Sequence, residues 1–197
     1  MQRQIGTLEL LVKPIAVVIV AGLLAVAGAL PAAAAGTQSV PTDLKLDDCT
    51  ITRTNDLETV WACPGYKGIP VMVRRAQLRS TLSFGLAATT EKAASQLLPL
   101  NYSPSGSIDW RLSNRAGSWK AFAAIVHYTR DASGDEKAGD VLVVTKIEEG
   151  ATCQIAYVDA KANPDVAALA EQAADAHGFD FDCKSGKPAT VGKFAAW

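Results

Sequence analysis

Cysteine spacing constrains this chain more than any other feature. Thirteen residues, TITRTNDLETVWA, separate Cys49 from Cys63, and Asn55-Asp56 sits between two β-forming flanks. A central turn signal with β-formers on both sides predicts an antiparallel hairpin. Pairing Thr54 with Glu58 places Ile51 opposite Trp61 and Cys49 opposite Cys63. Directly opposed residues have α-carbons about 4.5 to 5.5 Å apart, a separation that a disulfide accepts. A reactive or metal-binding role for Cys63 would need a second cysteine two residues away or a nearby histidine, and WACPGYKGIPV supplies neither. Cys63 is therefore read as a staple, followed by a Pro64-Gly65 turn. Closing a loop of this length contributes roughly 3 kcal/mol in the chain-entropy model. The two remaining cysteines, Cys153 and Cys183, pair by elimination.

Disulfides imply an oxidising compartment, and the N-terminus agrees. Arg3 and Lys13 precede an uncharged stretch, Pro14 to Leu30, which ends in the small residues Pro31 to Gly36. A positive start, an apolar centre and an A-x-A exit predict a secretory signal peptide over residues 1–35, cleaved after Ala35. The alternative is an uncleaved anchor, since 17 uncharged residues approach the roughly 20 needed to span a bilayer. The alanine-rich leader looks bacterial, so the expected location is periplasmic or secreted. No later stretch is apolar enough to cross a membrane.

Beyond the leader, residues 36–185 are expected to form a single globular α+β domain, with 186–197 as a flexible tail. The sheet is predicted to be mainly antiparallel. N-terminal hairpins (49–63, then 69–74 with 78–84) precede a four-strand meander: 108–113, 119–129, 141–148 and 152–159. Glu149-Gly150 marks the turn between the last two. Two helices are expected on one face of the sheet. The first spans Glu91 to Leu98, capped by Thr89 or Thr90 and stopped by Pro99. The second is capped by Asn163, carries Pro164 in its first turn and ends near Gly178. Phe179, Phe181 and Cys183 alternate with Asp180 and Asp182, as in a short strand. The polar stretch RDASGDEKAGD should be a solvated loop.

No nucleophile elbow, P-loop, dinucleotide fingerprint or H-E-x-x-H motif occurs. Nothing in the sequence calls for a cofactor or a metal. HGFDFD reads as a histidine at a helix end followed by two strand aspartates. His127 is the more informative histidine. A tight turn at 114–117 would set Leu112 opposite Trp119 and put Trp110, Trp119 and His127 on one sheet face with Tyr157 nearby. These four residues form a candidate ligand groove.

Removing residues 1–35 leaves 17 basic and 19 acidic residues, a balance that argues against nucleic acid. The distribution is uneven: Asp131 to Asp182 carries twelve carboxylates against three lysines. An acidic sector would speed association with a basic partner. Together these features suggest a non-enzymatic, disulfide-stabilised binding or inhibitor-like module for a basic envelope protein such as a lysozyme. The alternatives are a small envelope hydrolase using His127 and a structural envelope component. Intact-mass measurement of the exported protein should give a chain starting at Gly36, and reduction should add only the hydrogens of two bridges.

Overall fold

The sequence forms two antiparallel sheets that share one core. A computed structural model describes residues 36–130 and 139–197; the leader at 1–35 and most of the polar loop at 131–138 lie outside the described residues. The smaller sheet runs β2 (Thr50–Thr54), β3 (Glu58–Cys63), β4 (Val71–Ala76) and β5 (Arg79–Phe84) in chain order. The larger sheet is ordered β1-β6-β7-β8-β9-β10. Its strands are β1 (Thr37–Asp43), β6 (Tyr102–Ser113), β7 (Lys120–Arg130), β8 (Val141–Lys146), β9 (Cys153–Asp159) and β10 (Ala189–Val191). Every neighbouring pair is antiparallel except β9 and β10. Among the described residues no helix is long and apolar enough to cross a membrane.

Both expected disulfides form. Cys49 and Cys63 have α-carbons 4.3 Å apart, and Cys153 and Cys183 lie 5.7 Å apart. Ile51 pairs with Trp61 as expected. A bulge at Thr52 then shifts the register, so Thr54 meets Thr59 rather than Glu58. The Asn55 side chain closes the turn by accepting the amides of Leu57 and Glu58 at 2.9 and 3.0 Å.

Period-two alternation gives each sheet one face for the common core. Val71, Val73, Leu82 and Phe84 from the small sheet meet Ile108, Trp110, Leu112, Ala124, Val126 and Val143 from the large one. On the far face of the large sheet, Ile125, Val144, Ile155 and Val158 are covered by α1 (Val166–His177). The helix turns Ala170, Ala173 and Ala174 inward, and these small side chains let it lie close to the strands.

The fold has one α-helix where two were expected. Residues 92–95 form a single 3-10 turn. Glu91 is extended and buried, and its carboxylate accepts the amides of Gly150 (2.6 Å) and Thr152 (2.9 Å). Gln96 continues this pairing by accepting the Gln154 amide at 2.7 Å. These contacts to the β8–β9 loop hold the segment open, and eight residues are too few for helix propagation to win. Residues 179–183 form turns rather than a strand, because the buried Lys146 ammonium draws in the carbonyls of Phe179 (3.3 Å) and Phe181 (3.1 Å). Asn163 does not cap α1, which starts after Asp165. Its amide instead binds the Lys193 backbone on both sides, at 2.7 and 3.0 Å.

That contact alters the picture of the C-terminus. Residues 186–197, expected as a loose tail, add β10 to the sheet edge and bury Ala196 completely. Trp197 packs edge-on against Tyr102, Tyr157 and Phe194. The Cys153–Cys183 bridge closes a longer loop, with a sequence separation of 30. Replacing both of its cysteines by alanine should lower unfolding free energy by roughly 3 to 4 kcal/mol, measured as a shift in the denaturant midpoint.

Candidate functional site

Outward-facing positions of β3, β4 and β5 carry charge where their inward neighbours carry the core. Glu58 pairs with Ala76, Val60 with Arg74, Arg74 with Thr81, and Ala76 with Arg79. All of these side chains share the outer face of the small sheet. The bulge at Thr52 adds Arg53 to the set by placing it opposite Val60. A groove of about 520 Å³ opens here, lined by Asn55, Leu57, Glu58, Arg74, Gln77, Arg79 and Leu97 among others.

Glu58 organises the groove. Its carboxylate accepts a hydrogen bond from Arg74 Nε and pairs with Arg53 Nε at 2.9 Å. The Arg74 hydrogen bond, opposed by burial and aided by the charges of Arg74 and Arg53, holds the Glu58 carboxyl below its usual range. Arg79 is oriented separately, donating from Nη2 to the Leu98 carbonyl at 2.6 Å. Two guanidinium groups thus engage one carboxylate, and a third, Arg79, lines the same groove, so its arginines outnumber its carboxylate. A second hollow of about 320 Å³, lined by Arg53, Met72, Thr90 and Glu91 among others, lies on the other side of Arg74. Arg74 stands between the two. Fixed guanidinium groups beside aliphatic side chains suit a ligand with carboxylate or phosphate groups, which they grip in a planar, bidentate manner.

Compared with protein families, curated proteins and solved structures, the chain matches none.

The four residues proposed from sequence as a groove do not meet. Trp110 is fully buried between the sheets, and its indole N–H donates to Thr42 Oγ1 at 2.8 Å. Phe122 is the extra residue where the β6–β7 register shifts, between Arg111↔Ala123 and Leu112↔Ala121. The shift reverses the phase of β7. Ile125 and His127 consequently lie on the helix side of the sheet, opposite the face that carries Trp110. Trp119 precedes β7 and is 37% exposed. Tyr157 donates to Gln154 Oε1 at 2.7 Å and packs on Trp197. Burial pushes its phenol up to about 12. His127 does have an acidic neighbour, with Nε2 3.3 Å from Asp140 Oδ2, and is 40% exposed. Ser105 faces it across the ladder, but Ser105 Oγ reaches only the His127 carbonyl, at 3.5 Å.

The arginine groove went unseen in the sequence, although VMVRRAQLRS held a signal for it: Arg74 and Arg79 fall on outward positions of two strands joined by a tight turn. Because the Glu58 carboxyl is depressed in the folded protein, the stability it contributes is present at neutral pH. That stability is lost as pH falls through the folded value, below the ordinary carboxylate range. Glu58→Gln should flatten this part of the acid limb, read as melting temperature from about pH 6 down to about pH 2.

Proposed function

We propose that the chain is an exported, disulfide-stapled binding module of the bacterial envelope, released from its leader, and that it recognises an anionic ligand through the outer face of the small sheet. The carrying observation is the groove in which Arg74 and Arg79 are held beside Glu58 under an aliphatic rim. The two disulfides support an extracytoplasmic setting. A groove built on a stapled hairpin is preorganised, so little ordering free energy opposes binding.

A basic partner is the second reading, favoured by the loops around the Cys153–Cys183 bridge, which expose Glu149, Asp180 and Asp182. Its charge is smaller than the residue count suggests. Asp159 accepts backbone amides, and Glu171 and Asp175 serve Arg111.

The readings separate in one assay. A fluorescent polyglutamate peptide should bind, with affinity falling as salt rises, and Arg74→Glu should weaken binding by at least about tenfold. Lys120→Glu, on the other sheet, should leave it unchanged. Retention of lysozyme with no affinity for polyglutamate would favour the basic partner.

A further inference from the structure

Leu57, Leu78 and Leu97 are 74%, 58% and 42% exposed. Two of them stand at turn tips. Glu58 pairs with Ala76, and Ala76 with Arg79, so the β2–β3 turn that bears Leu57 and the β4–β5 turn that bears Leu78 lie side by side at one end of the small sheet. Leu97 borders the same hollow beside Arg79. Arg53, Arg74, Arg75 and Arg79 are within a few residues of these tips, against Asp56 and Glu58 alone.

We propose that this end of the small sheet docks on an anionic phospholipid bilayer, with Leu57 and Leu78 entering the interface and the arginines meeting lipid phosphates. This rests on the groove reading, because the arginines are shared. The leucines decide for a bilayer over an acidic peptide. Leu78 is not among the residues that line the groove, so a ligand seated in the groove would leave it in water. A surface laid across both turns covers Leu57 and Leu78 together. Aliphatic tips ringed by cations fit the boundary between headgroups and acyl chains, where apolar burial and attraction to anionic lipid act in concert. Neither leucine contributes to the core, so their exposure has no structural use within the described residues.

The test uses protein recovered from cells expressing the full chain, mixed with vesicles of phosphatidylglycerol and phosphatidylcholine or of phosphatidylcholine alone, at about 0.1 M salt. Sedimentation should show binding to the anionic vesicles only. Leu57→Ser combined with Leu78→Ser should weaken it by at least about tenfold, and Leu78→Ser alone, outside the groove lining, should weaken it while leaving polyglutamate binding unchanged. Leu57→Trp should gain fluorescence that brominated lipid quenches, beyond the quenching of the parent protein. Vesicle binding that survives the double leucine variant, or an introduced indole that brominated lipid does not quench, overturns the proposal. Polyglutamate binding without vesicle binding also overturns it and leaves the groove reading standing. If neither probe binds, both fail.

Discussion

Trp110 is the point on which the two sheets depend. Its indole is fully buried and meets Phe84 edge-on, with ring centroids 5.4 Å apart. Tyr66, from the turn after Cys63, lies 6.3 Å away. The same ring closes against the backbone at Gly65, where an added Cβ would stand only 2.8 Å from it. Its N–H holds Thr42 and so fixes the edge strand β1. One side chain thereby joins β6, β1, the small sheet and the segment that follows the first disulfide. Aromatic burial of this size contributes several times the free energy of any exposed ion pair. Gly65 itself is extended and the chain reverses over Tyr66–Gly68, rather than at the expected Pro64-Gly65 turn. The missing side chain of Gly65 leaves room for the tryptophan.

The consequence for the small sheet is a division of labour between its faces. The inner face is committed to Trp110 and its neighbours, which fixes the strand register. A one-residue slip would exchange the two faces. The outer face is then free to carry charge without threatening the core. Arg53, Arg74 and Arg79 are held in place by Glu58 and the Leu98 carbonyl, while the Cys49–Cys63 bridge ties down the base of the first hairpin. The arginines are oriented before any ligand arrives.

The parts of the fold legible in the sequence were those set by local chemistry. Asn55-Asp56 made its turn, Gly150 has a positive φ (76°) in the turn marked for it, and Cys49 paired with Cys63 as their spacing implied. The parts that were not legible were decided by contacts distant in sequence. Residues 91–98 gave up helix because Glu91 is bonded to amides some sixty positions away. β1 was missed because TQSVPTD has no apolar alternation and contains a proline, which an edge strand tolerates. His127 left the face that carries Trp110 through the bulge at Phe122, since one extra residue inverts the side chains of β7 beyond it. No local pattern announces such a bulge. Here its cause is tertiary: Phe122 stacks on Phe179 with centroids 4.2 Å apart, beyond the end of α1.

Charge shows the same limit. Counted along the chain, the acidic residues of the C-terminal third outnumber the basic ones and suggest a negative surface. In the fold, several of them are internal fasteners. Asp159 accepts the amides of Lys161, Ala162 and Ala195. Glu171 and Asp175 close on Arg111, whose side chain is only 6% exposed and also reaches Ser39 and Thr37. A carboxylate spent in this way projects little field into solvent. The arginines of the small sheet lie on an open face, where Glu58 engages Arg53 and Arg74 and leaves Arg79 to the Leu98 carbonyl. What an approaching ligand meets follows from which charges the fold has already consumed.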